Sequence, residues 1–237
     1  MNVKNLVKSA AFAVHTPLRP LLQAVGIDTK RLYELAYWRK QQRREGQLEN
    51  DWYEQLFTTC FDLSRDFYRG KRFLDIGCGP RGSLEWAEIA VERVGLDPLV
   101  DDYRKLGIDR HAMAYVAAPA ERIPFPDAHF DIVTSINSLD HVDDVEAAVR
   151  EIIRVLKPGG SFLLAVEIHP KPTIAEPHTL SWQFLEKFAA DFEVVDEQHF
   201  EAADPEHALI ARIPFDRADP QRRNGWLRAT LRKKSSP

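Results

Sequence analysis

The stretch FLDIGCGPRGSLEW, residues 73–86, contains the pattern that decides the fold and the ligand. Its glycines Gly77, Gly79 and Gly82 spell G-x-G-x-x-G, the pattern of dinucleotide-binding loops whose backbone N–H groups receive a pyrophosphate. Asp75 stands two residues before the first glycine, at the tip of a short apolar strand. A carboxylate there would repel a pyrophosphate and attract an ammonium or sulfonium group. The stretch therefore predicts a nucleotide-like ligand that carries positive charge.

A second acidic residue supports this interpretation. Asp97 follows the next predicted strand, 22 residues after Asp75. A carboxylate at that strand end can accept hydrogen bonds from both hydroxyls of a ribose. The ribose contact, the glycines and the nearby negative charge together favour S-adenosyl-L-methionine over a nicotinamide dinucleotide. An NAD-dependent oxidoreductase would also need a catalytic pair such as Tyr-x-x-x-Lys, and none follows the fourth predicted strand.

Strands and helices alternate along most of the chain. Helices are predicted at 3–14, 29–44, 50–69, 83–92, 99–106, 145–156 and 180–190, and strands at 72–76, 93–96, 115–118, 130–136, 161–168, 192–200 and 207–213. The alternation predicts an α/β fold: a Rossmann-like, seven-stranded, mostly parallel sheet with helices on both faces. About six residues separate the last two strands, too few for a helical crossover, so an antiparallel pair is expected at one edge. Functional residues should follow strands one, two, four and five.

The segments FLDIGCGPRG, VGLDP, AERIPFPDAHFDIV and RVLKPGG occur in this order and resemble the successive motifs of class I S-adenosyl-L-methionine-dependent methyltransferases. The resemblance covers about residues 71–213. It implies that Asp75, Gly77 and Gly79 lie at the methionine and ribose end of the cofactor, that Asp97 binds the ribose hydroxyls, and that the loop of Ala120 and Glu121 lies beside the adenine.

This sequence departs from the family pattern at two places. Pro80 and Arg81 precede Gly82, where the family usually has a small residue and then glycine. Pro119 stands where the family usually has an aspartate for the adenine amine, so Glu121 is the expected substitute.

Further residues are expected at the cofactor pocket. Cys78, between two pocket glycines, is interpreted as a small filler because no paired base is evident. Pro98 follows the ribose-binding Asp97. Arg81 is either a solvated loop residue or a contact for the cofactor carboxylate or the acceptor. Asn137, after strand four, is expected to line the methionine or acceptor pocket.

Histidines supply the candidate catalytic residues. His141 is the predicted general base, because the ordinary pKa of histidine lies near neutrality and methyl transfer to a hydroxyl requires loss of its proton. The alternative is a histidine satisfied by local packing, and Asp140 and Asp143 are equally suited to capping the next helix. His169 and His178 are further candidates after strand five.

Acidic residues accompany these histidines in EIHPKPTIAEPHTLSW, residues 167–182. Glu167 and Glu176 with the two imidazoles can bind a divalent metal or orient an acceptor hydroxyl. The spacing matches no established ligand motif, so an acceptor-binding loop without a metal is the favoured interpretation. Trp52, Tyr53 and Phe57 are either core residues or a lid over the cofactor.

Charge divides the chain into three parts. Residues 1–46 hold nine Lys or Arg and three Asp or Glu, residues 216–237 hold seven and two, and the whole chain has a net charge of −4. We expect a basic helical extension at 1–46, a methyltransferase domain at 47–215 and a basic tail at 216–237, which is either disordered or an anionic contact. The strongly acidic middle part argues against a nucleic-acid partner.

The composition also bears on the compartment. Two cysteines cannot form a disulfide framework, and no apolar run approaches the roughly 20 residues that span a bilayer. A cytoplasmic protein is expected. The basic ends, including Lys4, Lys8 and Arg19, predict either peripheral contact with the inner membrane face or a partner; the N-terminal segment is otherwise an added helix at the sheet edge.

Together these features predict methyl transfer from S-adenosyl-L-methionine to a small-molecule or sugar-like acceptor, with oxygen as the expected acceptor atom, by direct in-line displacement. FLDIGCGPRGSLEWA with SINSLDHVDD resembles small bacterial methyltransferases associated with cell-surface polysaccharide or other specialised pathways. The alternative is a non-catalytic adenosyl-binding partner or regulatory protein, which would lack converging polar residues at the acceptor side.

Overall fold

The computed structural model describes residues 28–169, 171–173, 176–202, 208–218 and 224–235. A seven-stranded sheet has the order β3-β2-β1-β4-β5-β7-β6. Its strands are β1 (Arg72–Ile76), β2 (Glu92–Leu96), β3 (Ala114–Val116), β4 (Phe130–Ile136), β5 (Leu156–Ile168), β6 (Phe192–Glu201) and β7 (Gly225–Lys233). The first five strands are parallel, and β7 is antiparallel to β5 and to β6. The predicted seven-stranded α/β fold is confirmed.

Five α-helices lie around this sheet in the described part of the chain: α1 (Thr29–Glu45), α2 (Tyr53–Phe57), α3 (Val100–Tyr103), α4 (Val145–Val155) and α5 (Ala208–Ala211). Helix α1 confirms the helix predicted at 29–44. It begins where the Asp28 side chain accepts a hydrogen bond from the Arg31 amide, and it ends at Gly46, whose φ is +79°. Helix α4 is capped by Asp144, so the caps expected from Asp140 and Asp143 were wrong.

Both faces of the sheet are buried, and alternate residues of each strand contribute to opposite cores. Leu74 and Val133 pack on the side covered by α4, whereas Phe73 and Ile132 pack on the side covered by α2. Strands buried on both faces are apolar at nearly every position, as in a parallel sheet covered by helices on two sides.

The parallel register brings four strand ends to one edge of the sheet. Asp75 pairs with Gly95 on β2 and with Thr134 on β4, so β1 lies between them. The chain crosses from one side of β1 to the other at β4, which makes this the topological switch point where ligands bind in such sheets.

The C-terminal end of the sheet corrects two predictions. The strand expected at 207–213 is wrong: Ala208–Ala211 is helical, and 203–207 lie outside the described residues. The seventh strand is Gly225–Lys233, inside the segment expected to be a basic tail. It lies between β5 and β6, and its Arg228 is fully buried and paired with Asp196 and Asp62. The sheet therefore extends beyond residue 215.

Three predicted helices were also wrong in length. The segment predicted as helix 50–69 breaks into α2 and two 3-10 helices, Thr59–Phe61 and Arg65–Tyr68, because Asp62 adopts a left-handed conformation with φ of +55°. The helix predicted at 83–92 is reduced to the 3-10 helix Glu85–Ala87, since the Leu84 and Glu85 carbonyls accept hydrogen bonds from Arg93. The helix predicted at 180–190 is reduced to the 3-10 helix Phe184–Phe188.

Among the described residues, no helix has the length and apolar character needed to cross a membrane. The helix predicted at 3–14 and the membrane contacts predicted for Lys4, Lys8 and Arg19 lie outside the described residues.

Candidate active site

A cavity of about 1050 Å³ runs along the carboxyl edge of the sheet. Small-molecule sites usually enclose roughly 300–1,000 Å³, so this one has room for two ligands side by side. It is lined by every predicted cofactor residue and by two of the three candidate catalytic histidines: Asp75, Gly77, Cys78, Gly79, Arg81, Asp97, Pro98, Ala120, Glu121, Asn137, His141 and His169. His178 is not among the lining residues.

Gly77, Gly79 and Asp97 line the part of the cavity predicted to hold the cofactor, which we call the cofactor end, and Gly77 forms its floor. Its φ is +72°, and a Cβ atom built there would lie 2.2 Å from the Cβ of Ser138. Its amide donates to the Leu96 carbonyl at 2.8 Å, which fixes the turn after β1. Only glycine permits both this conformation and this approach.

Asp97 is the second fixed element of the cofactor end. One carboxylate oxygen accepts from the Gly79 amide at 3.3 Å and the other from the Leu99 amide at 2.9 Å. Burial raises its pKa to about 7, against the opposing effect of these two amides. A carboxylate has about four acceptor positions, so the side chain retains capacity for ribose hydroxyls.

Each carboxylate oxygen of Asp75 already accepts a hydrogen bond from the chain itself. Its two carboxylate oxygens accept hydrogen bonds from the Ser83 hydroxyl at 2.5 Å and the Thr134 hydroxyl at 2.7 Å. Burial raises its pKa to about 6, and the two hydroxyls partly offset that rise. Asp75 therefore joins the glycine loop to β4, and its expected attraction for a sulfonium acts through its charge.

The residues predicted to lie beside the adenine are mainly apolar. Pro98, Pro119 and Ala120 line the cavity, and Cys78 packs under the loop so closely that a Cβ at Gly95 would lie 2.6 Å from its sulfur. Burial raises the pKa of the Cys78 thiol well above its ordinary value, in agreement with a filler. Glu121 lines the same end.

Glu121 is also tied to the start of α4. One of its carboxylate oxygens accepts from the amides of Asp143 and Asp144 at 2.6 and 3.0 Å. An adenine contact through this side chain stays a prediction.

Arg81 is committed to α1. Its guanidinium forms a two-pronged pair with Glu45 at 2.7 and 2.8 Å and donates to the Glu49 carbonyl at 2.7 Å. The hydrogen bonds from Arg81 hold the pKa of Glu45 down at about 2. The geometry therefore assigns Arg81 to holding the helix over the glycine loop, and its predicted contact with the cofactor carboxylate has no support here.

Helix α1 covers the cavity, which sequence reasoning missed. The Trp38 ring lies 3.1 Å from the position a Gly79 Cβ would take, and its indole nitrogen donates to Glu34. At the other end of the helix, Lys30 donates to the His141 carbonyl at 2.7 Å and to Asp143 at 2.8 Å. The available signal was the aromatic group of Tyr33, Tyr37 and Trp38, in which Tyr33 and Tyr37 are four residues apart.

The same cavity has several aromatic residues in its walls. These come from α1, α2 and β7, namely Tyr33, Tyr37, Trp52, Tyr53, Phe57 and Trp226, with Leu56, Ile136 and Leu209 between them. The residues Trp52, Tyr53 and Phe57 pack against the core and line the cavity at once.

A polar cluster of Asp140, His141, His169 and Glu176 marks the part of the cavity predicted to hold the acceptor, which we call the acceptor end. Asn137 adopts a left-handed conformation with φ of +54° directly after β4. Asp140 follows it, fully buried, with one carboxylate oxygen 3.8 Å from the Nε2 of His141 and the other 3.7 Å from the Nε2 of His169. Glu176 completes a group with Asp140 and His141 whose ligand atoms lie within 4.8 Å of one another. The sequence had given no sign that Asp140 would stand between two histidines.

The two later histidines differ in position. Burial lowers the pKa of His169, but the Asp140 carboxylate and the Lys171 carbonyl outweigh it and raise that pKa to about 9. His169 is therefore a poor general base in this state. The His178 amide donates to the Asp140 carbonyl at 3.4 Å, and His178 is not among the residues that line the cavity.

Comparisons with known proteins agree with this geometry. The family model described as "Methyltransferase domain" matches residues 74–164, from β1 into β5. The Ubiquinone/menaquinone biosynthesis C-methyltransferase UbiE of Ectopseudomonas mendocina is 39% identical over 111 residues, which cover 45% of this chain and 41% of that protein. The chain thus spans well under half the length of this curated relative.

Two solved structures have the same fold. A chain in the complex of the Haloferax volcanii Trm112 methyltransferase activator with a presumed methyltransferase is 17% identical with a TM-score of 0.58, covering 87% of this chain and 98% of that one. The [4+2]-cyclase SpnF is 23% identical with a TM-score of 0.53, covering 73% and 79%. At these identities the likeness concerns the fold alone. Residues 74–164 therefore match a methyltransferase domain in sequence, and the two solved structures share the fold.

Proposed function

We propose that this protein transfers the methyl group of S-adenosyl-L-methionine to a small acceptor with an apolar, aromatic ring and an ionisable hydroxyl group. One observation carries the proposal: a single cavity is lined by the glycine loop and Asp97, by several aromatic side chains and by polar groups that include His141 and Glu176. An adenosyl ligand held at Asp97 and the glycine loop would share this cavity with the acceptor.

The cofactor end fits the group. The close approach at Gly77 leaves backbone exposed to a ligand, and Asp97 can accept from ribose hydroxyls while keeping its two amide bonds. S-adenosyl-L-methionine supplies an electrophilic methyl group on a sulfonium centre. The chain supplies position and exclusion of water, because α1 covers the loop and is held there by Arg81 and Glu45.

The acceptor end favours a ring over a glycan. Aromatic and aliphatic side chains line the cavity together with the polar groups of His141 and Glu176. Such a chamber suits a flat apolar molecule with one polar edge. The name of the UbiE relative places that protein in quinone biosynthesis as a C-methyltransferase.

Deprotonation of the acceptor hydroxyl falls to the polar cluster. The Nε2 of His141 is buried without a hydrogen-bond partner in the described structure, and His141 lines the cavity. Loss of the hydroxyl proton makes both the oxygen and the neighbouring ring carbons nucleophilic, so the site suits O- and C-methylation alike. Oxygen stays the predicted atom from the sequence, whereas the relative's name favours carbon.

Calorimetry tests the cofactor half of the proposal. S-adenosyl-L-methionine and S-adenosylhomocysteine should bind the full chain and NAD should not. Asp97→Asn should weaken binding of both adenosyl ligands, and the exposed Asp101→Asn is the matched control. A folded protein without affinity for adenosyl ligands would contradict the proposal.

An acceptor panel tests the other half. Phenols, naphthols and quinols are compared with sugars and nucleotide sugars, and release of S-adenosylhomocysteine is followed by mass spectrometry. With a ¹³C-labelled methyl donor, the product's NMR shift separates O-methyl from C-methyl. Turnover of sugars alone would overturn the acceptor class, and tight cofactor binding without turnover would favour the non-catalytic alternative.

A further inference from the structure

We propose that Asp140, His141 and Glu176 bind a divalent transition-metal ion at the acceptor end of the cavity. One carboxylate oxygen or imidazole nitrogen from each residue lies within 4.8 Å of the others. The three come from the segment after β4 and the segment after β5, so the fold brings them together rather than a local sequence pattern. The chemical role of the ion rests on the proposed methyl transfer, whereas its binding does not.

Unsatisfied polar atoms point to this position. In the described part of the chain, eight buried side-chain polar atoms have no hydrogen-bond partner, and five of them belong to Asp140, His141, His169 and His178. Both oxygens of Asp140 are among them, although the residue is fully buried. A buried carboxylate without a hydrogen bond is strongly unfavourable, and the imidazole nitrogens of His141 and His169 lie 3.8 and 3.7 Å from it. A bound cation would satisfy both the carboxylate and the imidazole lone pairs around it.

The orientation of His169 supports the same conclusion. Its Nδ1 lies 2.8 Å from the Lys171 carbonyl, and because a carbonyl only accepts, Nδ1 carries a hydrogen. Its Nε2 lies 3.7 Å from an Asp140 oxygen, beyond ordinary hydrogen-bonding distance. A histidine that donates its other N–H to a backbone carbonyl is the usual arrangement beside a metal.

The distances are those that an ion would bridge. The Asp140 to His141 distance is 3.8 Å, too long for a hydrogen bond. Ligand atoms around a tetrahedral ion with bonds of about 2.1 Å lie about 3.4 Å apart. Two carboxylates and a divalent ion also sum to no net charge, which suits a site closed off from water.

The donor set indicates the class of metal. A mixture of imidazole nitrogen and carboxylate oxygen suits zinc, manganese, iron or cobalt better than calcium or magnesium, which prefer oxygen alone. Three protein ligands leave coordination positions open, and His141 and Glu176 line the cavity, so those positions face the acceptor. A hydroxyl bound there would lose its proton to solvent more readily. When the metal is bound, His141 is a metal ligand and does not act as the general base.

Binding is tested on the full chain after removal of metals by a chelator, with no adenosyl ligand present. Co²⁺ is titrated and followed by its visible absorption and by calorimetry. We expect one equivalent per chain, with affinity at least about tenfold weaker in each of Asp140→Asn, His141→Gln and Glu176→Gln. The matched control is His129→Gln, because His129 also faces a carboxylate, Glu92, at 2.9 Å, elsewhere in the fold.

The proposal is overturned by the absence of stoichiometric Co²⁺ binding, by equal affinity in the three variants and the wild type, or by a loss confined to His129→Gln. Circular dichroism checks folding; if the buried Asp140→Asn fails to fold, the partly exposed His141 and Glu176 variants decide. Calorimetry with S-adenosylhomocysteine on the same samples separates the two proposals. Metal binding without adenosyl binding supports the metal site and contradicts the proposed function. Adenosyl binding without metal binding supports the proposed function and overturns the metal site.

Discussion

The cofactor end and the acceptor end of the cavity differ in how their buried acids are satisfied. At the cofactor end, both oxygens of Asp75 and both of Asp97 accept hydrogen bonds from the chain itself. At the acceptor end, neither oxygen of Asp140 has a hydrogen-bond partner. The cofactor end is therefore organised before any ligand arrives, whereas the acceptor end leaves its polar groups for what it binds.

The two ends also differ in their origin along the chain. The cofactor residues lie within one block that matches the methyltransferase family, residues 74–164. The acceptor end is assembled from α1, α2, the segments after β4 and β5, and Trp226 on β7. The residues predicted to bind the cofactor thus lie close together in the sequence. The residues that line the acceptor end come from distant parts of the chain.

The largest expected effect is that of Gly77→Ala. The left-handed φ costs a non-glycine residue about 1–2 kcal/mol, and the new Cβ would overlap Ser138, so we expect about 2–5 kcal/mol lower free energy of unfolding and loss of adenosyl binding. Gly46→Ala is the control: its φ is similar, +79°, but no atom lies within 4 Å of its Cβ. Urea unfolding and calorimetry measure both.

A rescue variant sharpens this test. Adding Ser138→Gly to Gly77→Ala removes the atom that the new Cβ meets at 2.2 Å. The double variant should recover part of the lost stability, and the remaining loss should approach that of Gly46→Ala. Equal losses in Gly77→Ala and Gly46→Ala would contradict the close approach of the two loops.

The next effect concerns Asp97→Asn. Hydrogen bonds to a charged group contribute about 1.5–3 kcal/mol, so at pH 8 we expect S-adenosylhomocysteine to bind about 10–100 times more weakly. Burial raises the pKa of Asp97 to about 7, so the carboxylate forms between pH 6 and 8. Wild-type affinity should rise across that window, and affinity of the variant should not. Calorimetry at pH 6, 7 and 8 measures this.

The same raised pKa fixes the sign of the stability change. The unfolded side chain titrates near pH 3.9, so between about pH 4 and 7 the folded state holds more protons than the unfolded state. Stability of the ligand-free protein should therefore fall as the pH rises from 4 to 7. Asp75, with a pKa of about 6, contributes in the same direction. A rise in stability over this range would contradict the burial of both acids.

The position of the predicted cofactor residues at one edge of the sheet could be predicted from the sequence, because each stands at the end of a strand or directly after it. Strand order then brings Asp75, Asp97 and Asn137 to one edge whatever the rest of the chain does. The excess of basic residues in 216–237 gave no indication that this segment contains the seventh strand. Arg228 adds to an apparently basic tail, yet it is fully buried and paired with Asp62, 166 residues earlier in the chain.

The position of α1 over the glycine loop and the cluster around Asp140 could not be predicted from the sequence, for a related reason. Helix α1 was correctly predicted as a helix, but its place over Gly79 depends on Arg81 and Glu45 meeting across 36 residues. Asp140 looked like a helix cap, and only the fold shows that it is buried between His141 and His169. The periodicity of apolar residues identifies a helix or a strand, but contacts between residues far apart in the sequence decide what that element packs against.

A smaller effect is expected at the pair of Arg81 and Glu45. If Arg81 holds α1, Arg81→Gln and Glu45→Gln should each lower the free energy of unfolding by roughly 1–3 kcal/mol, and the double variant should lose little more. If Arg81 contacts the cofactor carboxylate, Arg81→Gln alone should weaken adenosyl binding. Arg81 lowers the pKa of Glu45 to about 2, so this stabilisation is present above about pH 4.5 and is lost as the pH falls toward 2.

The smallest effect is expected at the other end of α1. Lys30→Met removes bonds to the His141 carbonyl and to Asp143, whose side chain is 62% exposed, so the loss should be about 0.5 kcal/mol. Hydrogen exchange should quicken in the first turn of α1 and stay unchanged near Glu45, with adenosyl affinity unaltered. The exposed Lys40→Met on the same helix is the control. Arg31 in the same turn keeps its ion pair with Asp102 at 2.7 Å, so the loss should stay small; a larger loss for Lys30→Met than for Arg81→Gln would contradict this order.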